Sequence, residues 1–271
     1  MFKKIINIWL ITVFNICLLW VALVVPSLII ASSPSFYYTQ FEKLGMYSKT
    51  DEYDNDTLRV IPYVDGKKEN QAAFTDGQLN AMADHIVRYL FTDFDSFELV
   101  MDDVYMVNEG MRDGVSIFGK QAVSHMSDVK GLIGFAKWSA TGAGGVIAAL
   151  LSIFIFKRKR FFKSIFKVSC AFYSALVFFA ALFCLWSYIG ATKETPFLLN
   201  LWGNMHYLLF AFQPEKYTGS FIRDTLTYIL PLEFFLNAVI IVIAVIISTV
   251  LLWLTAAKLI EKLQERYYMK S

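Results

Sequence analysis

The sequence is short of most things from which a soluble enzyme site is built. Cysteine is scarce: Cys17, Cys170 and Cys184 are the only three in 271 residues, and all fall in long apolar runs. None lies in the polar stretch 32–131, which excludes a disulfide framework there. Thiolate catalysis is disfavoured, since apolar surroundings keep the thiol neutral. Charge is scarce as well, at 18% of residues. No Gly-x-x-x-x-Gly-Lys loop, Gly-x-Ser-x-Gly elbow or His-Glu-x-x-His helix occurs, so phosphate-cradling, serine-elbow and zincin chemistry have no sequence support. There is neither an internal repeat nor a low-complexity run.

What the chain has in excess is apolar length. Hydrophobic residues make up 56% and the mean hydropathy is +0.49, the composition of a multi-pass membrane protein. Four stretches, 5–31, 132–156, 168–189 and 234–254, are long enough to cross a hydrocarbon layer, which takes about 20 helical residues. Only the second carries a charge near one end, Lys137, which can snorkel outward. The expected fold is therefore an all-α four-helix transmembrane bundle with a small α+β extracytoplasmic cap. The expected organisation is an anchor at 1–31, the cap at 32–131, and spans two to four at 132–271 with an interfacial segment at 197–212. The first span resembles a signal peptide in its basic start, but its apolar run is too long and Pro34 follows the Ala31-Ser-Ser33 triplet. It reads as a retained anchor.

Charge asymmetry sets the orientation. Lys3 and Lys4, the cluster Lys157, Arg158, Lys159, Arg160, Lys163 and Lys167, and the tail residues Lys258, Lys262, Arg266 and Lys270 oppose two acids, Glu261 and Glu265. The stretch 32–131 has nine basic residues against seventeen acids. Cytoplasmic N- and C-termini and an acidic outer loop follow. The Lys157–Lys167 cluster reads as a topology signal and an anionic-lipid contact, with no nucleic-acid role.

Within the outer loop, 59–64 reads as an edge strand and Asp65-Gly-Lys-Lys as a turn. Thr75 or Asp76 caps a helix from Gly77 to about Phe91, with Leu79, Met82, Ile86, Tyr89 and Leu90 on its apolar face. The stretch 97–107 reads as a short hairpin or strand pair turning at Asp102-Asp103. A helix is expected from near Ser116 through His125 into span two. Farther on, 197–212 is too short to span and, closed by Pro214, reads as an interfacial or re-entrant helix with Trp202, Tyr207 and Phe210 suited to a membrane interface. Gly142-Ala-Gly-Gly145 reads as close helix packing.

Chemistry rests on two of the three histidines. His125 lies seven residues before Leu132, about 10 Å above the hydrocarbon edge, where a lipid ester sits. Asp128, at i+3, shares its helical face and can hold one ring nitrogen and fix the tautomer. Ser124 is adjacent, as a nucleophile or a helix-solvating hydroxyl. A lone His-x-x-Asp more often does no more than solvate a helix. His206, among Trp202, Met205 and Tyr207, is costly there without a partner, or else turns to the headgroups. His85 borders the polar side of its helix and reads as solvated or structural. Converging, His125, Asp128 and His206 could instead ligate a metal in a lipid hydrolase. A non-catalytic membrane scaffold or sensor is the other alternative. No cofactor or metal is expected.

The motifs resemble those of the bacterial lipoprotein intramolecular transacylase family over nearly the whole chain. Ser33-Pro-Ser-Phe-Tyr37 is similar to its Asn-Pro-x-Phe-Tyr, and Ser124-His-Met-Ser-Asp-Val-Lys130 to its most specific signature. Met205-His-Tyr-Leu-Leu-Phe210 is similar to Phe-His-x-x-Phe-Phe, and Leu230-Pro-Leu-Glu-Phe-Phe235 to Leu-Pro-x-x-Phe-Phe. The departures are Ala122, where the family often has an acid, Met205 for a phenylalanine, and Leu209-Phe210 for a Phe-Phe pair. The resemblance implies a multi-pass enzyme of the bacterial cell membrane with its site facing the outer leaflet. It would act on diacylglyceryl-modified lipoproteins among membrane lipids, moving the glyceryl sn-2 acyl chain to the N-terminal cysteine amine. His125 and His206 would be the catalytic pair with Asp128 as orienter, and Ser124, Trp202, Tyr207 and Phe210 are candidate substrate contacts.

Overall fold

Inside a hydrocarbon layer every backbone amide must be satisfied within its own segment, and the apolar runs accordingly form helices. A computed structural model describes residues 2–47, 49–50, 56–57, 59–156, 165–193, 195–209 and 223–268. Three helices among these are long and apolar enough to cross a membrane. They are α1 (Phe2–Ala31), α5 (Ile165–Ile189) and α8 (Leu232–Tyr268), with candidate spans at Lys4–Ala31, Ile165–Ile189 and Leu232–Lys262. The expected second span lies in α4 (Lys120–Phe156) and is not one of the three.

The chain divides into two compact units. The first comprises Met1–Leu23, Ala140–Ser220 and Ile243–Ser271. Ile11, Phe14, Leu150, Ile165 and Ala257 form its buried core. A polar knot ties three helices together beside that core. The Asn15 amide nitrogen donates to Ser169 Oγ at 3.0 Å and to Ile11 O at 2.9 Å. Trp253 Nε1 donates to Asn15 Oδ1 at 3.0 Å and to Ser169 Oγ at 3.2 Å. An unsatisfied amide would be costly in these surroundings; here each group finds a partner. The Phe14 and Trp253 rings, 4.4 Å apart, cover it. Among the described residues, the glycines at 142, 144 and 145 do not show the close packing expected of them: a Cβ there would meet none of these residues within 4 Å.

The second unit comprises Val24–Ser139 and Phe221–Val242. It contains α2 (Pro34–Lys43), with Pro34 at its first turn. The short strands β1 (Lys49–Thr50) and β2 (Asp56–Thr57) pair with each other. β3 (Arg59–Pro62) and β4 (Gln71–Phe74) begin an antiparallel sheet of order β3-β4-β6-β7, completed by β6 (Val104–Met106) and β7 (Gly110–Arg112). Between β4 and β6 runs α3 (Asp76–Phe91), opened by a full capping box between Thr75 and Gln78. Its expected apolar face, Leu79, Met82, Ile86, Tyr89 and Leu90, is buried in a core with Phe41, Phe74, Phe97 and Phe118.

Two strands do lie in 97–107 on either side of the expected turn, but they do not pair with each other. The chain turns at Asp103 (φ 53°), but β5 (Val100–Met101) pairs with β8 (Val115–Ser116) while β6 joins the main sheet. The aspartates make a corner instead. Asp102 accepts from the Gly114 amide at 2.8 Å and Asp113 from the Asp103 amide at 3.0 Å, so the turn bonds to the next turn along. The helix expected from near Ser116 begins four residues later, because Val115 and Ser116 are held in β8.

Candidate active site

The start of α4 is fixed by a residue more than a hundred positions away. The Gly119 amide donates to Asp224 Oδ2 at 2.7 Å, and the Leu226 amide to Asp224 Oδ1 at 3.0 Å. Asp224 is 1% exposed and caps the short helix α7 (Thr225–Ile229). Burial pushes its carboxyl above the usual range, against the pull of the two amide donors. Gly119 lies so close to the Tyr63–Gly66 turn that a Cβ there would be 2.9 Å from both Gly66 Cα and Asp224 Oδ2. Two residues of that turn, Tyr63 (φ 62°) and Asp65 (φ 56°), hold left-handed backbone without being glycine. Tyr63 stacks on Tyr228 of α7 at 5.9 Å, and the Asp65 amide donates to Ile117 O at 3.1 Å.

From this clasp α4 runs through the histidine motif. Ala122, Met126 and Ile133 turn into the core. His125 and Asp128, one turn apart, flank that stripe and are half-buried, while Ser124 is exposed. Ala122 is 0% exposed, so the alanine found where an acid was expected is a core residue here, and a carboxylate in its place would be buried. Lys130, one turn beyond His125, donates to Phe94 O at 2.7 Å and lies 4.6 Å from the centre of the Tyr89 ring, fastening α4 to the end of α3.

His85 has a structural environment. Its Nε2 donates to Phe97 O at 3.0 Å, and its ring sits against Phe94, Phe97 and Phe118 at 5.6, 5.5 and 6.4 Å. Burial, and then Arg88, push its basicity below the usual value, although the carbonyl bond opposes this. Neighbouring Asp84 accepts from the Tyr38 hydroxyl. Burial, followed by this bond, pushes that phenol up to about 12.

The second histidine motif belongs to the first unit, on α6 (Phe197–Leu209), and residues 210–212 of the expected segment lie outside the described residues. Two asparagines one turn apart dock α6 on α5. Asn200 Nδ2 donates to Ser187 O at 2.7 Å and Asn204 Nδ2 to Ser187 Oγ at 3.1 Å. Gly190 leaves room for this, since a Cβ there would come within 2.9 Å of Asn200 Nδ2. Position 206, two residues past Asn204, lies about 200° round the helix from that docked face. Trp202 is half-buried. For His206 and Tyr207 the helical backbone is described and the side chains are not; Phe210 and Pro214 lie outside the described residues. Among the described residues, no three His, Cys, Asp or Glu side chains cluster as metal ligands.

Residues 10–235 match the family described as lipoprotein intramolecular transacylase Lit. The chain belongs to that family. The membrane-integral lipoprotein intramolecular transacylase Lit from Bacillus cereus is similar in fold, with a TM-score of 0.59 at 14% identity over 97% of this chain and 99% of that one. Two structures of the same protein with one histidine replaced are also similar. The arginine form has a TM-score of 0.59 at 15% identity, over 100% of this chain and 97% of that one. The alanine form has 0.60 at 14%, over 98% of each. No curated protein matches the chain. The chain is thus a membrane protein of a lipoprotein-modifying transferase family.

Two motifs that carry the Lit resemblance meet in one aromatic cluster. Phe36 and Tyr37 of the first lie 5.3 and 5.0 Å from Phe234 of the last, and the Tyr37 hydroxyl donates to Ala31 O at 3.2 Å. Their role here is packing. The sequence reading missed Asp224 altogether. Its local signal was an aspartate three residues before Thr227 at the head of a short apolar run, which is a capping-box pattern.

Proposed function

We propose that the chain transfers the sn-2 acyl chain of a diacylglyceryl-modified lipoprotein to the α-amine of that lipoprotein's N-terminal cysteine. Membership of the Lit family, over a span that includes both histidine motifs, carries this reading. The amine nitrogen attacks the ester carbonyl, and the tetrahedral centre collapses with loss of the glyceryl oxygen. The amine gives up a proton and the leaving oxygen takes one. That balance calls for a base and an acid on opposite sides of the centre. His125, oriented by Asp128, is assigned as base, and His206 as acid or oxyanion partner, in roles that can be exchanged. Donor and acceptor belong to one molecule, so orientation and proton transfer are the enzyme's main contributions, and no acyl-enzyme is required.

The same reading has four spans, with α4 supplying the second, both termini cytoplasmic, residues 32–131 as the outer cap, and the site at the outer leaflet. Ser124, Trp202, Tyr207 and Phe210 are proposed lipid contacts. The half-buried flank of α4 shared by His125 and Asp128 supports it. Expression in cells lacking other N-acylating activity, with mass spectrometry of lipoprotein N-termini, tests it. The wild-type chain should yield the lyso-form, N-acylated product. His125→Ala and His206→Ala should each lower its formation by about 10²–10⁴-fold. No acyl shift, or one undiminished in both variants, overturns the assignment.

A further inference from the structure

We infer that α5 and α8 form a binding groove for an anionic phospholipid of the membrane, at the end where Phe166 of α5 faces Lys258 of α8. The groove encloses about 400 Å³ and lies wholly within the first unit. A groove of this order holds about a drug-sized group, the headgroup end of a lipid with the first part of one acyl chain.

Its walls change character along the helix axis. Leu251 and Leu254 line one end, Thr255 follows, and Lys258, Leu259 and Lys262 line the other. Leu251 and Lys258 are seven residues apart, about 10 Å along a helix. Apolar wall followed within that distance by two ammonium groups is the polarity profile of an acyl chain leading to a phosphate. The charged end lies where the apolar run of α8 gives way to Lys258, Glu261 and Lys262 and where Lys167 stands among the apolar residues of α5, the charge pattern of a membrane boundary. The Lys258 ammonium is already oriented, 4.8 Å from the centre of the Phe166 ring. Glu261 Oε2 approaches it at 3.7 Å and offsets part of its charge. Lys262 and Lys167, the residue after Phe166, are both exposed. Three cations against one acid leave the mouth net positive, which selects an anionic headgroup over a zwitterionic one. Thr255 is turned away from headgroup chemistry, since its hydroxyl donates to Leu251 O at 2.8 Å in its own helix.

The inference does not depend on the acyl-transfer reading. The full-length protein, purified in detergent, is titrated with dioleoyl phosphatidylglycerol or dioleoyl phosphatidylcholine and analysed by native mass spectrometry. Phosphatidylglycerol should be retained over phosphatidylcholine. Lys258→Ala combined with Lys262→Ala should reduce that preference about tenfold. Thr255→Trp, which fills the groove and keeps both charges, should reduce retention of either lipid at this site. Equal retention of the two lipids, unchanged selectivity in the double variant, or retention unaffected by Thr255→Trp would overturn the inference. So would light scattering showing that this face pairs two copies of the chain.

Discussion

Buried polar side chains serve different partners in the two units. In the unit built around the candidate spans, Asn15, Ser169 and Trp253 bond mainly to one another, and Asn204 to Ser187. In the other unit, Asp224 binds backbone amides from two separate segments. The difference follows from the backbone. Long helices in an apolar setting satisfy their own amides, so a polar side chain there must find another side chain or a helix carbonyl. Short strands, turns and helix starts leave amides over, and a carboxylate collects them. Polar groups therefore cross-link finished helices in the first unit, whereas the second combines one such link, Asn237 Nδ2 to Gln40 Oε1 at 2.6 Å, with a carboxylate that completes unfinished backbone.

Four substitutions test that contrast. Asp224→Ala strands the Gly119 and Leu226 amides in a buried place and should cost about 2–4 kcal/mol. Hydrogen exchange should show lost protection at the start of α4, and acyl transfer should fall with it because His125 rides on that helix. If protection is kept, the clasp does not hold the helix. Asn15→Leu should cost about 1 kcal/mol, since Trp253 Nε1 keeps Ser169 Oγ as acceptor. A thermal-unfolding loss as large as that of Asp224→Ala would erase the distinction between the units. Asn204→Ala removes one of two bonds from α6 to Ser187 and should cost about 0.6 kcal/mol. Its mark would be a lowered acyl-transfer rate with lipoprotein affinity little changed.

The smallest effect concerns pH. Folding holds His85 below its ordinary basicity. Between pH 7 and 5 the unfolded chain therefore takes up the proton more readily, and stability falls with pH. His85→Gln, which keeps a donor for Phe97 O, should flatten that dependence in thermal unfolding.

The legible parts of the fold were those written locally. The cap at Thr75, one of the two residues offered for it, and the apolar face of α3 appear as read, because both signals are local to one sixteen-residue helix. The apolar runs of α1, α5 and α8 were equally plain. The strands near Asp102 were not, since each is two or three residues long and its partner is chosen by distant register. Asp224 escaped notice because its partner Gly119 lies 105 residues earlier in the chain. The glycines of 142–145 misled, because small residues signal close approach only when a neighbour approaches. At the candidate site, the His125–Asp128 spacing was visible as a helical repeat. Why Ala122 replaces an acid emerged only from its buried position.

At Gly119 the distance from one backbone to the next is set by a hydrogen atom. A single added methyl would act there as a wedge, prising the head of α4 from its strained neighbouring turn and from the carboxylate that anchors it. The largest disturbance of His125 available from the smallest chemical change thus lies six residues away, at a position with no side chain.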